Sequence, residues 1–525
     1  MLTLWSGCVC FISVLTAVAV SGELRFASYY GNHMVLHKAP ERAVIWGYGT
    51  NNTTVVVNLT GLSNRKTFRS AVRDGIWRVT LDPVKAGGPY NLSAVERGGS
   101  DGEVMLTDVM FGDVWLCGGQ SNMVFTVHQI YNSSAELAMA SKFPDVRLFH
   151  VAQETSLVEL TDLPGIAVPW SVPTPQLLTQ YSAVCWLFGR YLYQTLHYPI
   201  GLVESCWGGT PVEVWSSSRP LQNCGIPQAT ESYNDFIEDK PIPIQNSVMW
   251  NDFIGDEPIP TQNSVAWNAM IHPLLNMTIT GAIWYQGENN RYYNRDKYNC
   301  TFPSMIDDWR MAFNQGSGGQ TAPDFPFGFV QLCTERQDNV PDGFPEIRWH
   351  QTADFGYVPN ERMKRTFMAV ALDLNDADSP WGTIHPRFKQ DVAYRLTLGA
   401  RTIAYGEKGI SYQGPFPGSV FVNETYLMLT YNQNVSATPA KDTFEVCCSM
   451  EKVQCSSGDR WIWMSAPMVP QGPSTVAISL WGCRAEHVAS LRYAWKDWPC
   501  DFKACPVYSA DGVLPAPPFV LHRWP

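Results

Sequence analysis

Charge is scarce in this chain. Only 16% of its 525 residues are Asp, Glu, Lys or Arg, and the balance is acidic, with a formal charge of -11. Without a basic patch neither nucleic acid nor an anionic membrane surface is attracted, so both are excluded as partners. Beyond residue 22 no apolar run is long enough to span a bilayer, and no membrane insertion of the mature chain is expected. Paired C-x2-C spacing with an accompanying His cluster is missing as well, which argues against structural zinc at Cys447-Cys448 or Cys500-x4-Cys505.

What the chain has begins with Met1 to Gly22, an apolar run without a charged side chain that ends in small residues. It reads as a secretory signal peptide. The alternative, a membrane anchor, is disfavoured because the run is at the short end of the ~20 residues a span needs and closes in a cleavable pattern. Nine N-x-Ser/Thr triplets follow, starting at Asn51, Asn52, Asn58, Asn91, Asn132, Asn276, Asn299, Asn423 and Asn434. They predict a glycoprotein of the secretory pathway, with lysosome and secretion both open. Twelve cysteines remain after the signal, and the six from Cys447 to Cys505 lie close enough for an oxidised, stapled region. Cys117, Cys185 and Cys206 sit in apolar runs and read as small buried hydrophobes.

Length demands two or three domains. From residue 23 to 106 short runs such as Thr53 to Thr60 and Gly75 to Leu81 cluster β-branched residues between Gly, Asn and Asp turns, predicting a β-sandwich. From 107 to 408 strand-like apolar runs alternate with helical spacing, which implies an α/β unit whose parallel sheet is flanked by helices. A tandem duplication, 235–251 followed by 252–268, interrupts it as a Pro-rich acidic surface insert. Residues 409–525 return to β and form an accessory, disulfide-bearing region. Twenty tryptophans supply faces that stack on sugars, although a β-rich core uses them equally well.

The best candidate for chemistry is Phe111 to Met123, FGDVWLCGGQSNM. An apolar strand-like run stops at Gly118-Gly119, so Ser121 falls in the turn at a strand's C-terminal end, where ligands of open α/β sheets collect. A helix-capping role for Ser121 is the competing reading. Three other stretches end strands in the same unit. Gly208 and Gly209 offer unhindered N–H groups for an oxyanion, Gln286 and Glu288 follow another strand, and His385 lies on a loop before a helix start. Together they supply a nucleophile, a base and anion donors.

GGQSNM (118–123), WGGTPVEVW (207–215), NAMIHPLL (268–275), WYQGEN (284–289) and IHPRFKQDVAYRL (384–396) resemble the blocks of the SGNH hydrolase superfamily as they occur in sialate O-acetylesterases. The resemblance extends into RYAWKDWPC (492–500) and LPAPPF (514–519) and so covers nearly the whole mature chain. It implies an SGNH-hydrolase-like α/β fold and a serine esterase acting on O-acetylated sialic acids or sialoglycans through an acetyl-enzyme. Ser121 would be the nucleophile, His385 the base, and the Ser121 N–H, Gly208 or Gly209, and the Gln286 side-chain amide the oxyanion donors. No cofactor and no metal are implied, because an activated serine needs none.

One departure stands out. Relatives carry an Asp two or three residues before the catalytic His, where Gly382 and Thr383 stand here. The candidate acid is Asp378, folded back through the longer loop; the alternative is a Ser-His dyad whose His385 is oriented by a backbone carbonyl. His272 and Glu288 are assigned supporting or substrate contacts. The competing functions are an acetylesterase on other acetylated carbohydrates and a glycan-binding glycoprotein without turnover.

Overall fold

One strand of 17 residues, β1 (Glu103–Gly119), runs through both the N-terminal unit and the central sheet of the computed structural model. The structure describes residues 22–61, 65–98, 102–227, 259–337, 343–449, 455 and 463–522. The first half of β1 pairs antiparallel with Gly87–Arg97 and, at Met110 to Gly112, parallel with Val35–His37. Thr54–Thr60 extends this layer, and a three-stranded sheet of Arg25–Phe26, Val44–Tyr48 and Ile76–Thr80 forms the other. The expected boundary at 106 therefore falls inside a continuous strand. Its burial pattern explains the reading: residues 103–108 alternate, whereas 109–119 are buried throughout.

The second half of β1 is the centre of an α/β sheet. Its other strands are β2 (Val146–Val151), β3 (Ile166–Ser171), β4 (Ile200–Cys206), β5 (Gly281–Tyr285), β6 (Phe327–Gln331) and β7 (Thr366–Val370), in the spatial order β3-β2-β4-β1-β5-β6-β7. All neighbours are parallel except the edge pair β3 and β2. β4, β5 and β6 are buried at every residue, as strands covered on both faces must be. Helix α1 (Ala183–Leu196) starts where the Ser182 hydroxyl accepts from Cys185 N–H and stops at His197 in the left-handed region. It packs against α2 (Lys389–Ile403), whose buried Lys389, Val392, Ala393, Leu396 and Ala400 recur at helical spacing. Cys117 and Cys185 form a disulfide that ties β1 to α1, correcting their reading as plain buried thiols.

Among the described residues, the C-terminal region holds two four-stranded sheets and a two-stranded ribbon. Its six cysteines pair as Cys447–Cys455, Cys448–Cys483 and Cys500–Cys505. Arg348, fully buried, joins it to the central unit by donating to the carbonyls of Leu332, Cys333, Lys496 and Asp497.

Of the candidate glycosylation residues, Asn91, Asn132, Asn423 and Asn434 are exposed and Asn276 and Asn299 half-buried, with Asn299 Nδ2 donating to Asp354 at 2.6 Å. Asn58 is a correction. It is buried in mid-strand, its amide bonded to Thr67 and Ser93, so the fold leaves no room there for a sugar. All but the last residue of the expected signal peptide (1–22) and most of the duplicated insert lie outside the described residues, and among the described residues no helix is long and apolar enough to cross a membrane.

Candidate active site

Strand register assembles the site. Gly119 lies opposite Cys206 on one side and Tyr285 on the other, so β4, β1 and β5 end abreast. Two further backbone bonds, Trp207 N–H to Gly119 O at 3.0 Å and Gln120 N–H to Tyr285 O at 2.9 Å, carry the alignment one residue into the loops. The loops 207–210, 120–122 and 286–289 therefore leave the sheet side by side. Gly119 has φ +141, and a Cβ there would meet Tyr285 O at 2.2 Å. No other residue could bring the Ser121 loop this close to β5.

His385 arrives from the long loop after β7. Its Nε2 lies 2.8 Å from Ser121 Oγ, although 264 residues separate the two in sequence. The Nδ1 lies 2.9 Å from the Trp381 carbonyl oxygen. A carbonyl only accepts, so the proton of the neutral ring sits on Nδ1 and the Nε2 lone pair faces the serine hydroxyl. The loop holds this pose through Ser379 Oγ donating to His385 O (2.7 Å) and His385 N–H donating to Gly382 O (2.9 Å). Phe125 stacks over the ring at 6.4 Å. Both reacting groups are nearly enclosed, Ser121 at 4% and His385 at 1% exposure. Burial lowers the imidazole to about 4, against the raising effect of the Trp381 carbonyl and with a further lowering from the Lys389 ammonium.

The structure corrects the candidate acid. Asp378 is exposed and acts electrostatically on Arg387, while the Trp381 carbonyl occupies the position beside Nδ1. The neighbouring acids are committed elsewhere: Asp376 to Arg387 and Asp373 to Arg395 and Tyr508. What the sequence left as the alternative, a dyad oriented by a backbone carbonyl, is the observed geometry.

Gln286 is the second correction. Its Nε2 donates to Thr210 O (3.2 Å) and Asn290 Oδ1 (2.7 Å), and its Oε1 accepts from Tyr298 (3.0 Å), so both amide hydrogens are spent inside the protein. It belongs to a buried lattice in which Asn290 also holds Val212 N–H and Glu213, whose carboxyl burial pushes up to about 7. The N–H groups of Ser121, Gly208 and Gly209 have no acceptor among the described residues. Asn289, which the sequence did not single out, donates from Nδ2 to Gly209 O and keeps one amide hydrogen uncommitted. The Gln120 side chain joins two of the loops by accepting from Gly287 and Asn289 N–H.

Directly behind the pair lies a buried polar chain. Asn122 Nδ2 donates to Glu288 Oε1 (2.6 Å) and to Ile384 O (2.9 Å), and Lys389 Nζ donates to Asn122 Oδ1 (2.6 Å) and Pro386 O (2.8 Å). The carbonyls of Ile384 and Pro386 flank His385, so one chain grips the His385 loop on both sides and the Ser121 loop at its next residue. Burial raises the Glu288 carboxyl and lowers Lys389 to about 7. His272 is elsewhere, bonded to Leu160 O and Glu159.

Comparison with known proteins gives the family. Residues 419–523 match the model of the sialate O-acetylesterase C-terminal domain. Sialate O-acetylesterase of Mus musculus is 47% identical over 95% of this chain and 94% of its own, and that of Homo sapiens 47% identical over 94% and 92%. Among solved structures, a carbohydrate acetylesterase from Xanthomonas citri superposes with a TM-score of 0.74 at 25% identity, over 95% of this chain and all of that one. Likeness to the mammalian proteins along almost the entire chain, with the family model matching its C-terminal sheets, places the protein in the sialate O-acetylesterase family of carboxylic ester hydrolases.

Proposed function

We propose that the protein is a serine esterase that hydrolyses O-acetyl esters of sialic acids. The observation that carries this reading is the 2.8 Å contact between Ser121 Oγ and His385 Nε2, with the ring held in the base-competent tautomer. Ser121 Oγ attacks the acetyl carbonyl while its proton passes to Nε2. The resulting oxyanion takes hydrogen bonds from Ser121 N–H, from Gly208 or Gly209 N–H and from the uncommitted hydrogen of Asn289. Collapse expels the sugar alkoxide, which takes the proton from Nε2 and leaves an acetyl-enzyme. Water then repeats the sequence: His385 takes its proton, acetate departs and Ser121 Oγ recovers a hydrogen.

The charge of His385 never needs a buried carboxylate in this scheme, because the Trp381 carbonyl dipole faces Nδ1 and the ring is protonated only transiently. A nucleophile 4% exposed favours the smallest acyl group. Sialic acid as the sugar rests on the names of the mammalian relatives; the Xanthomonas neighbour, a carbohydrate acetylesterase, supports acetylated sugars more broadly.

The test incubates purified full chain with 9-O-acetyl sialic acid and, separately, with acetylated xylan, and follows acetate. Release from the sialic acid, lost in Ser121→Ala together with labelling by an acylating serine probe, is the expected result. Release from xylan alone would move the substrate to other acetylated carbohydrates. Glycan retention on a column without label or acetate would replace the esterase by a glycan-binding protein.

A further inference from the structure

We propose that His150, Glu204 and Cys206 form a binding site for one divalent transition-metal cation of the zinc type, separate from Ser121 and His385. In the parallel pairing of β2 with β4, His150 lies opposite Glu204, and Cys206 follows two residues along β4. Side chains two apart on a strand share a face, so all three project from the same side of the sheet. Nε2 of His150, a carboxylate oxygen of Glu204 and Sγ of Cys206 lie within 4.8 Å of one another. The individual spacings are 3.2 Å from Sγ to Glu204 Oε1 and 3.7 Å from His150 Nε2 to the same oxygen. Tetrahedral zinc with ligand bonds of about 2.0–2.3 Å needs its ligand atoms roughly 3.4–3.6 Å apart, so the two spacings to Glu204 are already close and the imidazole has to approach Sγ from no more than 4.8 Å.

Chemistry and burial point the same way. Imidazole nitrogen, carboxylate and thiolate are the ligand types a borderline cation selects, and one thiolate with one carboxylate cancels a 2+ charge in a place that tolerates no excess. His150 Nε2 is a buried polar atom with no hydrogen-bond partner, an arrangement that costs free energy until something takes its lone pair or proton. Ser182 N–H donates to the other Glu204 oxygen at 3.0 Å, which fixes the carboxylate and leaves Oε1 facing the pair. Cys206 is a free thiol, and the nearby cysteine of β1, Cys117, which lies opposite Glu204, is already bonded to Cys185. The His150 side chain, 14% exposed, gives the ion a way in, and a water completes the fourth position.

On binding, the thiol proton that now points at Glu204 leaves for solvent and an S–metal bond forms in its place. The ion would clamp the C-terminal ends of β2 and β4 together just ahead of Trp207 and Gly208. The inference does not depend on the substrate assigned to the esterase.

Cobalt(II) chloride titrated into metal-stripped full chain tests it. The expected result is a near-ultraviolet thiolate-to-cobalt absorption band that saturates at one ion per chain and is absent in Cys206→Ser. His150→Ala should weaken cobalt binding at least about tenfold, as loss of a ligand does. Serine-probe labelling of Ser121 reports whether each variant is folded; if Cys206→Ser is not, His150→Ala, at a side chain 14% exposed, decides. No band, a band unchanged in a labelled Cys206→Ser, or unchanged affinity in His150→Ala overturns the proposal.

Discussion

Asn122 Oδ1 receives Lys389 Nζ at 2.6 Å, so the residue after Ser121 is bonded to the residue four after His385. Because Asn122 also reaches Ile384 O and Lys389 also reaches Pro386 O, the pair fixes the separation of Ser121 and His385. Reacting groups held by a rigid chain of this kind are sensitive to small displacements. Asn122→Ala is expected to lower kcat by about 10²-fold with little change in KM, as misplacement by about 1 Å does. Steady-state kinetics on an acetyl ester checks this.

The pH profile follows from His385. Its pKa is lowered to about 4, first by burial and then by the Lys389 charge, and only the neutral ring accepts the serine proton. Activity is therefore lost as pH falls through about 4, not through the ~6.5 of an ordinary histidine. Lys389→Met removes a cation that disfavours imidazolium, so the acid limb of kcat/KM should move to higher pH.

Asp378 stands apart from the imidazole. Asp378→Asn should leave kcat/KM within about twofold, the usual range for an exposed substitution. A loss of 10³-fold or more would show that the loop rearranges during turnover to bring the carboxylate to Nδ1.

Gln286 and Asn289 separate stability from turnover. Gln286→Ala strands the partners of three buried hydrogen bonds and should destabilise the fold by roughly 1–3 kcal/mol for each group left unpaired, seen in denaturant unfolding. Asn289→Ala loses only the bond to Gly209 O, about 0.5–1.5 kcal/mol in unfolding, and should lower kcat by about 10²-fold, the cost of one anion donor.

Much of this was legible in the text of the chain. Gly118-Gly119 before Ser121, and the glycines at 208–209, mark strand ends whatever the tertiary context, because backbone turns there need residues without a Cβ. The Trp381 carbonyl was not legible, since any residue supplies one. Gln286 misled for a related reason: sequence identifies an amide but not which carbonyls take its hydrogens. Asn58 carries a valid sequon, yet the strands at Arg65–Ala71 and Gly87–Arg97 cover it from both sides, a fact of pairing rather than of composition. The Cys117 to Cys185 link joins a strand to a helix 68 residues away, and spacing alone cannot choose among partners.

The strand from Glu103 to Gly119 gives the N-terminal sandwich a hold on catalysis. A shift of its outer half would be passed along one continuous strand to Gly119, two residues before Ser121. The sandwich is thus no detachable appendage: excising it would amputate the lever on which Ser121 is mounted, and both layers should melt in one calorimetric transition.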